Sequence, residues 1–354
     1  MKQTFWQGKK VLITGNTGFK GSWLSLWLTK LGAEVAGYSL QPNTDPNLFN
    51  LLGLEKRYPT TYGDIRDTEC LKTAMNDHQP DIVLHLAAQA LVRPSYADPV
   101  TTFSTNIMGT VSVLEAVRQQ ESVKVFINVT SDKCYDNKEW IWPYRESDSM
   151  GGYDPYSASK GCSELVTSAY INSFFSAREI TIASARAGNV VGGGDWSVDR
   201  LVPDILGALS ESRDIVLRNP HAIRPWQHVL EPIAGYILLA EALWDNKDLS
   251  GGWNFGPSYS GEMTVNDLAF KMVSFWGGDQ THVLHDTGET FHEASILRLD
   301  STKARSMLNW KSRLSTDETI AWIVEWTRAF HREENMLRVT LEQIEKYEKL
   351  SAHS

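Results

Sequence analysis

The sequence predicts an α/β fold with a doubly wound parallel sheet, and three observations support it. Apolar runs alternate with helical patterns through the first half of the 354 residues. A glycine-rich turn, from Thr14 to Gly21, joins the first apolar run, Val11 to Ile13, to a helical segment. Strand, glycine turn and helix in this order are typical of Rossmann-type dinucleotide-binding folds, whose crossover helices cover both faces of the sheet.

Each element of the first half follows from its apolar period and from the breakers that bound it. The predicted strands are Lys10–Thr14, Glu34–Ser39, Thr60–Gly63, Ile82–Leu86, Val125–Val129 and Thr181–Arg186. The predicted helices fill the gaps between them, at Gly18–Leu31, Asp67–Gln79, Pro99–Gln119 and Pro155–Phe175.

The pattern loosens after Val190. A helix is predicted at Arg200–Ser210, turns and short strand from Pro220 to Pro232, a strand within Gly251–Pro257, and helix from Glu318 to Leu350. We therefore predict a first domain at residues 1–190 and a second region at 191–354, some segments of which cross back to the first.

The glycine turn is suited to bind a pyrophosphate. Gly15 can turn the chain sharply, Gly18 lets the backbone approach the phosphates, and Gly21 lets the helix pack closely on the strand. The helix N-terminus adds free N–H groups and a partial positive charge. Glycines also mark ordinary turns. A second motif further along the chain supports the interpretation of this turn as a pyrophosphate-binding site.

That motif combines Tyr156 and Lys160 with Ser131, which follows the predicted strand Val125–Val129. Residues four apart share one helix face, and a nearby ammonium is expected to lower the pKa of the Tyr156 phenol. Such a tyrosine can remove a proton from a sugar hydroxyl while hydride leaves the carbon. The alternative is a solvated helix pair, which the glycine turn and the strand-end serine make less attractive.

Composition excludes several classes of function. The net charge of −9 argues against a nucleic-acid partner, and no apolar run is long enough to predict a membrane span. The N-terminus is too short and polar for a signal peptide. The three cysteines have no metal-binding spacing, so we expect reduced thiols in a cytoplasmic protein and no metal site.

The two motifs resemble those of the extended short-chain dehydrogenase/reductase family, from about Lys10 to about Trp326. The TGxxGFxG turn, the Ser131 and YxxxK set, and Arg186-Ala187-Gly188-Asn189-Val190 carry the resemblance. Within that family the chain is similar to the sugar-nucleotide 4,6-dehydratases. These usually have Asp-Glu after the catalytic hydroxyl residue, whereas this chain has Asp132-Lys133, as in the branch that acts on CDP-glucose.

The resemblance implies NAD as cofactor. From the residues alone NAD and NADP stay open, because only Ser39, and no acid, ends the second strand. Asp64 matches an adenine contact of the family, although it could equally cap the next helix. The implied cofactor-binding residues are Gly15, Thr17, Gly18, Phe19, Gly21, Ser39, Asp64, Ile65, Ala87, Ala88, Asn106, Tyr156 and Lys160.

The resemblance also implies where a sugar nucleotide binds, in a smaller C-terminal lobe. Arg224 and Asn189 match family contacts to the diphosphate or sugar, and Arg298 and Arg93 are further candidates. Arginine suits the task because its planar fork bonds phosphate oxygens bidentately. For each arginine taken singly, a surface ion pair is the commoner explanation.

The implied reaction converts CDP-glucose to CDP-4-dehydro-6-deoxyglucose and water, with hydride passing from C4 to NAD and back to C6. Ser131, Asp132, Lys133, Tyr156 and Lys160 are the implied catalytic residues, with Asp132 as acid and Lys133 as the base at C5. The resemblance further implies a homodimer or homotetramer and a role in bacterial O-antigen synthesis. Rival functions are a 4-epimerase, a dehydratase for another nucleotide-glucose, and a non-catalytic NAD-binding regulator.

Overall fold

A computed structural model describes residues 1–257, 263–277, 282–286 and 296–352. Seven parallel strands form the main sheet, in the order β11-β6-β5-β4-β1-β2-β3. These strands are β1 (Lys10–Thr14), β2 (Glu34–Ser39), β3 (Thr60–Tyr62), β4 (Ile82–His85), β5 (Val125–Val129), β6 (Thr181–Arg186) and β11 (Gly251–Asn254). The predicted doubly wound α/β sheet is confirmed.

The order of the strands reverses between β1 and β4, which start the two halves of the sheet. At the carboxyl ends of these strands Thr14 pairs with His85, and the Thr14 hydroxyl lies 2.7 Å from the His85 Nδ1. Ligands of open α/β sheets bind in the crevice outside such a switch point. The glycine turn begins there, directly after Thr14.

Helices cover both faces of the sheet and are named here in chain order. They are α1 (Gln3–Trp6), α2 (Phe19–Lys30), α3 (Leu48–Leu51), α4 (Thr68–His78), α5 (Val92–Ala97), α6 (Pro99–Phe103), α7 (Gly109–Arg118), α8 (Pro155–Tyr170), α9 (Leu201–Ser210), α10 (Leu230–Asp245), α11 (Val265–Trp276), α12 (Thr302–Leu308), α13 (Thr316–His331) and α14 (Met336–Ala352). Six short strands lie in three pairs outside the main sheet: β7 (Val190–Val191) with β10 (Gln227–His228), β9 (Ile223–Arg224) with β12 (Met263–Thr264), and β8 (Ile215–Leu217) with β13 (Val283–His285).

Two predicted helices are interrupted by wider turns. The segment predicted as one helix from Pro99 to Gln119 is α6, a π-helical turn at Ser104–Met108, and α7. A second π-helical turn, at Ile171–Phe175, ends α8. Such turns frequently occur at functional sites, and the first contains Asn106.

The chain after residue 190 contributes to both parts of the fold. Strand β11 pairs with β6 at the edge of the main sheet, and Trp253 on it is fully buried. Helix α10 lies in the same core as α2, whereas α9, α11 and part of α13 surround a separate apolar cluster that includes Ile205 and Leu268. Segments of the second region therefore cross back to the sheet, and the separate cluster forms a smaller layer beside the crevice.

Within these described ranges, no helix combines the length and the apolar character that crossing a bilayer requires. The three cysteines form no disulfide.

Candidate active site

Ser131 begins the site at the carboxyl end of β5. Its hydroxyl accepts a hydrogen bond from the Lys133 amide at 3.2 Å and so caps a 3₁₀ turn at Asp132–Cys134. The same hydroxyl donates to the Asp132 carboxylate at 2.9 Å. The serine and the aspartate are both buried, which fixes the pair at the strand end where the crevice opens.

Helix α8 brings Tyr156 and Lys160 to the same place. Asp154 caps the helix by accepting from the Ser157 amide at 2.9 Å, and Pro155 occupies the first turn, where its missing N–H has no consequence. Tyr156 is 8% and Lys160 6% exposed. The Lys160 ammonium donates to the Val129 carbonyl at 3.4 Å, which ties the helix face to the end of β5.

The electrostatics of these groups differ from expectation. Burial raises the pKa of Tyr156 to about 12, although a hydrogen bond with Ser131 and the charge of Arg200 act in the other direction. Burial also lowers the pKa of Lys160 to about 8, while the nearby Glu164 carboxylate raises it. The expected lowering of the tyrosine pKa by Lys160 is wrong, because desolvation of the phenolate outweighs the Ser131 hydrogen bond and the positive charge of Arg200.

A buried ion pair supports the site from behind. Glu164, one turn after Lys160 on α8, accepts two hydrogen bonds of 2.9 Å from the Arg186 guanidinium on β6. The Thr130 hydroxyl, next to Ser131, donates to the same carboxylate. Glu164 thus joins three elements: α8, the end of β5, and β6. The first two carry the predicted catalytic groups, and the Gly188–Asn189 segment follows β6.

Asp132 faces a small cavity on the substrate side. Its carboxylate lies against Gly188, where any side chain would clash, and it accepts from the Asn189 amide at 3.5 Å. Arg298 also lines this cavity, together with Pro225. Asp132 and Arg298 therefore line one small space, and Asn189 bonds to Asp132 beside it.

Lys133 lies half-buried on the 3₁₀ turn beside Asp132. Within the described ranges its amino group has no hydrogen bond and no ion pair. The nearby Asp136 carboxylate pairs with Lys138 at 2.7 Å.

The glycine turn fits a pyrophosphate. Gly15 has φ +75°, and a Cβ there would lie 2.7 Å from the Ala87 amide nitrogen; at Gly21 it would lie 2.1 Å from the Gly15 carbonyl oxygen. A Cβ at the exposed Gly18 would meet nothing closer than 3.5 Å. The chain's own packing therefore requires Gly15 and Gly21, whereas Gly18 leaves open the N-terminus of α2, where a phosphate can approach.

The other predicted cofactor residues surround this turn. Thr17 and Ser39 share a hydrogen bond of 2.7 Å at the ends of their segments, and Ala87 follows β4 at the switch point with Ala88. The carboxylate of Asp64 accepts from Arg66 at 2.6 Å, and Asp67 caps α4 in its place. The capping alternative for Asp64 is therefore wrong.

Three of the predicted residues have side chains engaged within the protein. Phe19 packs against the main core, and Ile65 is buried against Gly109. The Asn106 amide donates to the Gln89 carbonyl at 2.9 Å and to the Ser159 hydroxyl at 2.8 Å, and its oxygen accepts from the Gln89 amide. Asn106 thereby fixes α8 against the loop after β4.

Arg93 and Arg224 lie in other parts of the crevice wall. Arg93 forms an ion pair of 3.4 Å with Asp199, and Arg218, which no sequence motif marks, binds the same carboxylate at 3.1 Å. Arg224 is half-buried on β9, next to the cavity residue Pro225, and one of its nitrogens donates to the Ile223 carbonyl at 3.0 Å.

Sequence reasoning missed several charged groups of the site. Arg200 acts electrostatically on Tyr156 and pairs with Asp195 at 3.2 Å. Lys20, inside the glycine turn, is close enough to interact with Lys160, Asp132 and Arg200. Lys20 could have been found by asking why a lysine occupies an apolar helix start, but Arg200 and Asp195 belong to no recognisable motif.

Comparisons with known proteins found relatives of this chain in sequence and in fold. The CDP-glucose 4,6-dehydratase of Salmonella typhimurium is 50% identical over 351 residues, covering 98% of each chain. Among solved structures, the UDP-glucose 4-epimerase of Thermotoga maritima has a TM-score of 0.80 at 22% identity, covering 91% of this chain and 99% of its own. The dTDP-glucose 4,6-dehydratase of Streptomyces venezuelae, solved with NAD and TYD bound, has a TM-score of 0.78 at 22% identity, covering 92% and 99%.

The structural similarities confirm the fold, and at this level of identity the fold alone. The sequence profile described as GDP-mannose 4,6 dehydratase matches residues 12–323, most of the chain. The resemblance to the sugar-nucleotide dehydratases of the extended short-chain dehydrogenase/reductase family is confirmed. This chain belongs to the GDP-mannose 4,6 dehydratase family.

Proposed function

We propose that this protein converts CDP-glucose to CDP-4-dehydro-6-deoxyglucose and water, with NAD as a cofactor that is regenerated in each turnover. The observation that carries the proposal is the similarity to the Salmonella typhimurium CDP-glucose 4,6-dehydratase over 98% of both chains. The Ser131-Asp132-Lys133 turn beside Tyr156 and Lys160 supplies the groups that the reaction needs.

NAD, when bound, supplies an acceptor for the C4 hydride and later returns hydride to C6. The residues that would hold it are those of the glycine turn, with Thr17 and Ser39 beside it and Lys160 on α8. Gly18 leaves room for the pyrophosphate, so these residues fit the cofactor.

Tyr156 is the base for the C4 hydroxyl. Its hydrogen bond with Ser131 and the charge of Arg200 favour the phenolate, and Lys160 lies on the same helix face. Because burial keeps the phenol protonated in the free protein, a further positive charge in the site is needed to lower its pKa toward working pH.

Asp132 and Lys133 act in the elimination. Oxidation at C4 acidifies the C5 proton, so a base at C5 and an acid at the C6 hydroxyl complete the loss of water. Asp132 is buried against the cavity and is the candidate acid for the leaving hydroxyl. Lys133 beside it is the candidate base, a role that it can fill only as the neutral amine.

The second region, 191–354, would mainly bind the sugar nucleotide. Arg224 and Arg298 are the diphosphate candidates near the cavity, with Asn189 directed at the Asp132 side. Arg93, engaged with Asp199, lies further along the wall.

The test is a panel of CDP-, dTDP-, UDP- and GDP-glucose, each incubated with the purified protein and NAD. We expect a 4-keto-6-deoxy product from CDP-glucose, seen by absorbance in alkali and by mass, without lasting accumulation of NADH. A C4 epimer as the product would instead support the epimerase alternative. Turnover of only another nucleotide-glucose would show that the enzyme is specific for a different nucleobase.

Two variants separate the chemical steps. Lys133→Met should lose dehydration by a factor on the order of 10² to 10⁴, the usual worth of one general acid–base group, yet still oxidise C4 in a single turnover. Tyr156→Phe should lose both steps. If Lys133→Met exchanges the C5 hydrogen with solvent deuterium at the wild-type rate, the base is Asp132 or Tyr156.

We also propose that the protein assembles as a homodimer or homotetramer through α7, α8 and the π-helical turns beside them. Leu165 on α8 is 58% and Phe174 47% exposed, with Val100 and Met108 exposed along the neighbouring helical segment. Leu114 on α7 is fully buried within the chain and cannot contribute to such an interface. We also propose a role in bacterial O-antigen synthesis, which the family resemblance implies.

A further inference from the structure

A polar cleft of about 480 Å³ lies beside the candidate active site. Every residue that lines it has a charged side chain or a hydroxyl: Arg145, Glu146, Ser147, Asp300, Thr302 and Lys303. Its volume is in the range of small-molecule sites, roughly 300–1,000 Å³, whereas the cavity that Asp132 faces measures about 10 Å³. None of the lining residues has a part in the proposed reaction.

Two segments joined by backbone hydrogen bonds form the walls of this cleft. The Tyr144 amide donates to the Arg298 carbonyl at 2.8 Å, and the Asp300 amide donates to the Tyr144 carbonyl at 2.8 Å. Arg298 and Leu299 line the small cavity, whereas Asp300 lines the cleft. One short segment is therefore the wall between the two spaces, and it carries a candidate cation for the substrate diphosphate.

The two cations of the cleft have unused hydrogen-bond donors. The Lys303 ammonium donates to the Gly252 carbonyl at 2.8 Å and lies 4.1 Å from the centre of the Trp253 ring. Within the described residues it has no other hydrogen bond and no ion pair. Arg145 is 74% exposed, and its guanidinium pairs only loosely with Asp300, at 3.9 Å. Burial lowers the pKa of Lys303, so an anion beside it would stabilise its charged form.

The two carboxylates of the cleft are each held by a backbone amide. Asp300 accepts from the Thr302 amide at 2.7 Å, and Glu146 accepts from the Asn254 amide at 3.0 Å. Each carboxylate keeps a second oxygen that accepts no hydrogen bond from any residue the structure describes. The Thr302 hydroxyl accepts from Arg305 at 2.7 Å, which leaves its own hydrogen to donate. The charges of the cleft thus balance, but most of its unused groups are donors.

We propose that this cleft is a second ligand site, which binds a sugar phosphate. Phosphate oxygens accept charge-assisted hydrogen bonds from lysine and arginine, and carboxylate oxygens accept from sugar hydroxyls. The cleft offers both kinds of group in one space of suitable volume.

A ligand that bridges Arg145 and Lys303 would hold the two walls together. It would thereby fix the segment that carries Arg298, and a fixed Arg298 binds a diphosphate more tightly because less freedom is lost on binding. This consequence rests on the proposed function, in which Arg298 is a diphosphate contact, whereas the site in the cleft does not depend on it.

The first experiment titrates glucose 1-phosphate into the full chain and follows its phosphorus NMR signal. NAD and CDP are present at saturation so that they occupy the proposed active site. We expect glucose 1-phosphate to bind about tenfold more tightly than inorganic phosphate, since the sugar hydroxyls add hydrogen bonds.

Arg145→Met should weaken this binding about tenfold, the size expected for the loss of one charge-assisted hydrogen bond. Because Arg145 is exposed, the variant should fold as the wild type does. Lys303→Met should show the same loss. Lys138→Met is the matched control, since Lys138 pairs with Asp136 outside the cleft, and it should bind as the wild type does.

The second experiment measures CDP affinity by calorimetry with and without glucose 1-phosphate. We expect the sugar phosphate to tighten CDP binding about fivefold in the wild type, a typical coupling between two sites, and to have no effect in Arg145→Met. Weaker CDP binding in both proteins would overturn the inference, because it would place the sugar phosphate in the active site.

Equal affinities for inorganic phosphate and glucose 1-phosphate would overturn the sugar-phosphate site, as would binding that neither Arg145→Met nor Lys303→Met changes. An unchanged CDP affinity would overturn the link to Arg298. A wild type that does not bind CDP would overturn the proposed function alone, because the NMR titration of the variants still reports on the cleft.

Discussion

Replacing Glu164 by glutamine tests how the fold holds its catalytic groups. The Glu164 and Arg186 side chains are only 4% and 5% exposed, and two hydrogen bonds of 2.9 Å join them. Glutamine keeps the size of the side chain but removes its charge. The change leaves the Arg186 guanidinium buried without its counter-charge.

The size of the effect follows from the burial. Breaking a buried ion pair by removing one partner typically destabilises a protein by about 3–5 kcal/mol, because the remaining charge stays desolvated. The Thr130 hydroxyl, which donates to Glu164, retains an acceptor in the amide oxygen of glutamine. Tyr135, whose hydroxyl accepts from Arg186 at 2.6 Å, offers only a neutral oxygen. We therefore expect Glu164→Gln to lower the free energy of unfolding by about 3 kcal/mol or more.

The assay is urea unfolding followed by tryptophan fluorescence, with linear extrapolation to water. Arg186→Met is the matched single variant, and the double variant Glu164→Gln/Arg186→Met closes a mutant cycle. Because the double variant leaves no buried charge, it should be more stable than the sum of the single losses predicts.

A loss below about 1 kcal/mol in Glu164→Gln, or strict additivity in the cycle, would refute this reasoning. Either result would mean that water reaches the pair and screens it.

Three further predictions concern the cofactor turn, the interface and the pH dependence of stability. Gly21→Ala should destabilise the protein by about 1–3 kcal/mol or more, because the alanine Cβ would lie 2.1 Å from the Gly15 carbonyl oxygen. Gly18→Ala should keep the wild-type melting temperature but weaken NAD binding. Light scattering should give a multiple of the chain mass, and Leu165→Glu with Phe174→Glu should reduce it to one chain; a wild-type monomer at micromolar concentration would contradict the interface. Burial lowers the pKa of His228 to about 3 in the folded protein. As the pH drops from about 6.5 toward 3, His228 is therefore protonated in the unfolded chain but not in the folded one. The free energy of unfolding should fall over this range by about 1.4 kcal/mol per pH unit. His228→Phe should remove that part of the slope between pH 6.5 and 5, and an unchanged slope would show that the histidine is protonated in the fold.

The sheet could be predicted closely because its strands are buried on both faces. Apolar runs bounded by breakers predict β1, β2, β5 and β6 with the residue bounds that the structure has. The start of α10 before Pro232 is less predictable from the sequence. Turns and short strand were predicted up to the proline, but α10 begins at Leu230 and contains Pro232 in its first turn, where no backbone N–H is needed.

The sequence alone also does not predict which side chains near a turn bond to each other. Asp64 and Asp67 are equivalent candidates for capping by residue type, and only the path of the chain decides that Asp67 accepts from the Cys70 amide. Asn106 matches a family position, but its role in joining the Gln89 loop to α8 depends on contacts between segments far apart in sequence.

The charge around Tyr156 shows most clearly where sequence reasoning ends. The four-residue spacing correctly places Lys160 on the tyrosine's helix face, and that spacing predicts a lowered phenol pKa. In the folded chain the Lys160 ammonium bonds to the Val129 carbonyl, and Arg200, from a loop with no motif, is the cation that acts on the phenol.

Burial then acts on both groups in opposite directions. It raises the pKa of Tyr156 to about 12 and lowers that of Lys160 to about 8 and of Lys20 to about 7. Desolvation penalises the charged form of each group, so the free site holds a neutral phenol among amines that are partly neutral. For Tyr156 to act as the proposed base, an added positive charge beside it would have to lower its pKa toward working pH.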